Sequence, residues 1–160
     1  MLRKLTITAL TTAALMALSS LAFAAEISRS EYKTAVEPIC QQNSKANERI
    51  LKGVRQMVKQ GKLKPAAAKF QKAGEALKKT HKQLAAVPQP TADEAKLRKW
   101  LSYIKEEADL FIRAGKKLKA GQKGAAQTLV NKLTSNANKA NALVLAFNFR
   151  YCKFEPSKFT

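Results

Sequence analysis

The chain has 160 residues, with 30 basic side chains against 11 acidic ones, a formal net charge of +19, and 46% hydrophobic residues. That length fits one domain, and so large a positive charge favours polyanionic partners while leaving the fold open. One histidine and two widely spaced cysteines exclude a CxxC redox pair, a CxxCH haem attachment and a zinc shell of the usual spacing.

Residues 1–24 read as a secretory signal. Arg3 and Lys4 precede the apolar run LTITALTTAALMALSSLAFA, which closes on Ala22-Phe23-Ala24, the small-x-small pattern of a cleavage site. Cleavage after Ala24 leaves residues 25–160 as a single domain with no integral membrane span and, without Arg3 and Lys4, a formal charge of +17. Such a chain is expected to be secreted or held in the periplasm or cell envelope. In an exported chain an even cysteine count implies a disulfide, and Cys40 with Cys152 is the one intramolecular pairing available.

Four helices follow in order. The first is expected to begin at Ser28, where Ser28-Arg29-Ser30-Glu31 fits a capping box. Tyr32, Val36, Ile39 with Cys40, Ile50, Val54 and Met57 with Val58 then recur at helical spacing, and Gly61 marks the stop. Pro38 lacks an N–H and crowds the preceding turn, which predicts a kink there, or a short first helix joined to a longer second. The second helix starts at Pro65 and carries Ala66, Phe70, Ala73, Leu77 and Leu84 on its inward stripe, ending before VPQP at 87–90. Thr91-Ala92-Asp93-Glu94 reads as a second capping box.

The third helix shows a nearly strict 3,4 alternation through Leu97, Leu101, Ile104, Ala108, Phe111 and Leu118, with Trp100 beside it. Gly121 and Gly124 bracket the next turn. The fourth helix carries Val130, Leu133, Ala137, Ala140, Val144 and Phe147, with Asn148 as a left-handed stop and Phe149 folding back. Acid-before-base pairs four apart support these helices: Glu48 with Lys52, Glu75 with Lys79, Glu94 with Arg98, and Asp109 with Arg113. No run alternates like a strand. Short connections predict an all-α, antiparallel up-down-up-down four-helix bundle, its first helix kinked near Pro38. The first and fourth helices are then neighbours, with Cys40 and Cys152 at one pole.

That topology also gathers charge. The turns at 61–64 and 119–124 share the opposite pole, bringing together Lys59, Lys62, Lys64, Lys116, Lys117, Lys119 and Lys123, and residues 49–74 and 110–154 contain no acid. Glu26, Glu31, Glu37, Asp93, Glu94 and Glu155 map to the disulfide pole. The expected function is an exported, non-enzymatic binding protein of the cell envelope whose basic pole meets an anionic envelope polymer, phospholipid headgroups or extracellular DNA. The plainer alternative is a solvated lysine-rich surface, since lysine outnumbers arginine, the better two-pronged phosphate ligand.

Asparagines in helix interiors suggest a second reading, because Asn is a poor helix former. Asn43 and Asn47 in the first helix, with Asn138 and Asn141 in the fourth, would face one another as a register-fixing amide network or as the lining of a small-ligand cleft. Glu106, Glu107 and Asp109 point to different sides of the third helix and read as a solvated acidic patch. His81 lies at the core boundary, and nothing in its spacing from Met57 favours a haem ligand pair. The tail FNFRYCKFEPSKF, with four of the seven phenylalanines, is expected to form an aromatic lid over the disulfide pole near Tyr32. With no GxSxG, HExxH, P-loop or GxGxxG motif, neither catalytic residues nor a metal or cofactor is expected.

The segments EYKTAVEPICQQNSKANERI, LAAVPQPTADEAKLRKWL and NANKANALVLAFNFRYC resemble a group of uncharacterised exported bacterial proteins found notably among actinobacteria. The shared pattern is a Tyr–Ala–Cys opening, a proline-rich link before a Leu-Trp helix, and an Asn–Ala helix closing on a late Cys; it spans nearly all of 30–152. This chain departs at Asn148, where the similar proteins often carry glycine, and in its lysine-rich surface. The resemblance implies helices and export, and no activity or site residue.

Overall fold

The computed structural model describes residues 26–155; the export signal expected over residues 1–24 lies outside the described residues. Every regular element among them is helical: α1 (Arg29–Leu51), α2 (Val54–Lys59), α3 (Leu63–Ala85), α4 (Glu94–Lys119) and α5 (Lys123–Leu143), with 3₁₀ turns at Thr91–Asp93 and Leu145–Phe147. None of these helices is long and apolar enough to cross a membrane.

The start of α1 follows the local chemistry read from the sequence. The Ser28 hydroxyl accepts from the Glu31 N–H, and the Glu31 carboxylate accepts from the Ser28 N–H at 2.8 Å. The helix runs through Pro38 as one element, so the chain does not divide there into a short and a long helix; a break follows at Lys52-Gly53. Gly53 is left-handed at φ 77°, where a side chain would be strained, so the chain breaks there and restarts as the six-residue α2. Gly61 (φ 73°) closes α2, and α3 begins two residues before Pro65, whose missing N–H falls in a first turn that needs none.

All the inward stripes read for the second, third and fourth helices are buried, from Ala66 through Leu84, Leu97 through Leu118, and Val130 through Phe147. Burying leucine- and phenylalanine-sized side chains contributes roughly 1.5–3 kcal/mol each before entropy is subtracted. Trp100 is wholly buried and meets Phe149, which stacks on Phe147, which in turn meets Tyr32 edge-on at 5.9 Å. This is the described part of the aromatic lid, Phe159 lying outside the described residues, and Asn148 at φ 45° supplies its left-handed turn. The asparagine ends the 3₁₀ turn, one element beyond α5.

Three local expectations are corrected. Thr91-Ala92-Asp93-Glu94 forms no capping box: the segment is a 3₁₀ turn, and neither Pro90 nor Asp93 caps with a side chain. The buried Asp93 carboxylate is engaged in a two-pronged pair with Arg29, which ties the start of α1 to the start of α4 and holds the carboxyl below its usual range. Of the acid–base pairs, Glu94 with Arg98 forms at 3.3 Å, whereas Asp109 turns to Lys78 (3.0 Å) and Lys105 (3.1 Å), and Glu75 accepts from Gln71. Finally, α1 packs on α3, while α1 and α5 barely touch. The C-terminal tail bridges them, its Cys152 bonded to Cys40 of α1 and its Phe154 held by Asn141 of α5.

At the α3–α4 interface two glycines let the backbones approach closely. A Cβ on Gly74 would stand 2.8 Å from the Ala108 carbonyl oxygen and 2.6 Å from Ile112 Cγ1; one on Gly115 would stand 2.9 Å from the Ala67 carbonyl oxygen. Alanine at either position should therefore destabilise by about 1–2 kcal/mol, overpacking outweighing a helix-propensity gain of about 1 kcal/mol. Gly124→Ala, which meets open space, should be neutral or stabilising. Urea unfolding of the three variants checks this; equal stabilities would mean the helices separate without penalty.

Candidate functional site

Two concave sites sit on the α3–α4 surface where α1 and α2 fail to meet α5. The first is at the disulfide end. Cys40 and Cys152 are bonded, so the tail is covalently held to α1. The tail's course is fixed by further contacts: the Glu37 carboxylate accepts from the backbone N–H groups of Arg150 and Tyr151, and Lys33 donates to the Asn148 carbonyl. Asn141 holds Phe154 twice, donating to its carbonyl and accepting from its N–H, both at 2.9 Å. Beneath the tail is a cavity of about 60 Å³ lined by Asn43, Asn47, Thr80, Glu107, Phe111 and Phe154, among others.

This places the four asparagines. Asn43 and Asn47 line the cavity one helical turn apart, the Asn47 amide donating to Asn43 Oδ1 at 3.4 Å. Asn141 secures the tail from outside the lining, and Asn138 is exposed elsewhere. No direct amide bond joins α1 to α5 among the described residues.

The residue missed in sequence is Glu107. It is only 3% exposed, its carboxylate accepts from Asn136 Nδ2 at 2.9 Å, and the same amide donates to the Tyr103 carbonyl. Burial, reinforced by Glu106, pushes the carboxyl up to about 7 against the opposing Asn136 bond. A signal existed: Glu107 lies three residues after Ile104 and four before Phe111, on the buried stripe. Asn47 Oδ1 and Asn136 Oδ1 are both buried without a protein partner, so this end of the molecule keeps unused hydrogen-bond acceptors.

The second site is at the other end of the α3–α4 surface. A hollow of about 190 Å³ between α2 and α5 has a floor of Phe70, Leu118 and Val130 and a rim of Arg55, Lys59 and Lys123. A separate groove on another face of α5 carries Arg113, Lys116 and Lys117 beside Gln122. Lys62, Lys64 and Lys119 are exposed on the flanking turns, and none of the seven lysines named from sequence is in an ion pair among the described residues. Lys59, Lys116, Lys117 and Lys119 occupy last helical turns, where the helix dipole welcomes a cation. Lys62, Lys64 and Lys123 stand at helix starts, where it does not, and no acid offsets them in the first turns of α3 or α5.

His81 is half-buried, its pKa lowered by burial and by Lys105. No cluster of three or more His, Cys, Asp or Glu able to hold a metal occurs among the described residues. No protein-family model, curated protein or solved structure matches the chain.

Proposed function

We propose that this is an exported, non-enzymatic binding protein of the cell envelope that docks on anionic polymers or surfaces through its lysine-rich end. The observation that carries this is the charge at helix starts. Lys62, Lys64 and Lys123 weaken the helices they begin and repel their neighbours, so helix stability does not account for them, whereas an external polyanion would. Phospholipid headgroups, an anionic envelope polymer and extracellular DNA share the chemistry required. A disulfide is compatible with an oxidising compartment and so with export.

In this proposal the helices run up-down-up-down, with α1 kinked near Pro38. The pairings of Lys69 with the Ile50 carbonyl, Gly115 with Ala67, and Asn136 with Tyr103 support that course, since each joins an early stretch of one helix to a late stretch of its neighbour.

The test is retention on a polyanion. Changing Lys116, Lys117, Lys119 and Lys123 to Gln should weaken binding to duplex DNA or anionic vesicles far more than the same change at Lys78, Lys79, Lys82 and Lys96. The log–log salt slope should fall by about 0.9 for each DNA phosphate that the variant no longer neutralises. Equal weakening by the two sets would reduce the effect to net charge and defeat the assignment to one end.

A second reading, a small-ligand carrier, is favoured by one observation: the unpartnered Asn47 Oδ1 in the cavity beneath the tail. Ligand co-purifying with the wild type but absent from Asn47→Leu would support it.

A further inference from the structure

Building on the anion-docking function above, we propose that the hollow between α2 and α5 binds a single-chain anionic amphiphile, an alkyl or acyl chain carrying a phosphate or carboxylate head. Its two halves call for two chemistries in one molecule. The floor is apolar and buried, formed by Phe70 of α3, Leu118 of α4 and Val130 of α5. The rim is cationic on both sides, with Arg55 and Lys59 on α2 and Lys123 on α5, and none of the three is ion-paired among the described residues.

Size agrees with this occupant. A cavity of about 150 Å³ accommodates benzene, so 190 Å³ takes an apolar group of similar bulk. Inorganic phosphate would meet the rim and leave the floor wet. A neutral hydrocarbon would fill the floor and leave the cations unanswered. A duplex polyanion is too broad to enter and would touch the rim alone.

The fold accounts for the opening. The break at Gly53 and the left-handed Gly61 bound α2 as a short separate helix packed on α3, turning Val54 inward while Arg55 and Lys59 stay exposed. The other wall is α5, which packs on α4, so the space between α2 and α5 stays open above the floor.

Calorimetric titration of the oxidised protein tests this, with octyl phosphate, inorganic phosphate and octyl glucoside as separate ligands below micelle-forming concentrations, and polyphosphate retention measured in parallel. Octyl phosphate should bind at least tenfold more tightly than either half-molecule. Ala126→Phe, which fills the hollow from a buried lining position, and Gln127→Trp, which caps it from an exposed one, should each weaken octyl phosphate at least tenfold and leave polyphosphate retention unchanged. Both substitutions preserve charge, and the second disturbs no buried residue. Octyl phosphate binding no tighter than inorganic phosphate, or undiminished in folded Gln127→Trp, overturns the assignment. Failure of the wild type to retain polyphosphate counts instead against polymer docking, and hollow-dependent binding of octyl phosphate would then stand alone.

Discussion

Replacing Cys40 and Cys152 together by serine should lower the unfolding free energy by about 4–5 kcal/mol. The two positions are 112 residues apart, so the bond closes a loop that contains α2 to α5 and most of the core. On the chain-entropy account that loop removes many conformations from the unfolded chain, and a domain of this size has only about 5–15 kcal/mol in total. The folded state adds a second consequence. The tail is also held by Glu37, by Asn141 and by the stacked rings of Phe147 and Phe149. The serine variant should therefore keep its helices while amide exchange speeds at residues 149–155 ahead of the core. Urea unfolding with and without reductant measures the first effect and hydrogen exchange the second. A destabilisation below about 1 kcal/mol would mean that the aromatic lid and the Glu37 contacts suffice to close the chain.

The second large effect is expected at Glu107, and its sign is opposite. Folding raises this carboxyl from its ordinary value of 4.5 to about 7, chiefly because burial penalises the charged form. Between those values the folded chain holds a proton that the unfolded chain has released. Stability from this group is thus fully present below pH 4.5 and is lost as pH rises through about 7, a change of roughly 3 kcal/mol. Glu107→Gln keeps an oxygen for the Asn136 amide and has no charge to bury. The variant should match the wild type at about pH 4 and exceed it by up to roughly 3 kcal/mol at about pH 8. Denaturation midpoints of both proteins at about pH 4, 6 and 8 isolate the effect, because His81, Asp93 and the other titrating groups are common to the two. Parallel pH profiles would show that Glu107 ionises without cost.

The disulfide is visible in sequence, since two cysteines leave one intramolecular pairing. Glu107 needed its neighbours. Its position on the α4 stripe was readable, but whether a carboxylate there snorkels to water or is enclosed depends on Asn136 of α5 and on the tail above it. Likewise Gly53 is conspicuous only once Val54 is known to be buried in a separate short helix. Periodicity alone carried the first helix across the break, because Ile50, Val54 and Met57 stay in phase through it.

Helicity, the buried stripes of α3, α4 and α5, the capping box at Ser28, the left-handed stop at Asn148 and the cysteine pair were all legible in the order of residues; in α1 the reading found Tyr32, Val36 and Cys40 but took the half-buried Ile50 for the buried Leu51 beside it. Those features depend on interactions within a few positions or, for the cysteines, on there being no other choice. Three-dimensional packing was needed to show that α1 lies on α3, that Arg29 reaches Asp93 across 64 positions of chain, that the tail bridges α1 and α5, and that an apolar hollow opens beneath the lysines. These are choices among distant partners of similar local fitness, and they are settled by which packing of the whole buries the most apolar surface while leaving the fewest polar groups unpaired.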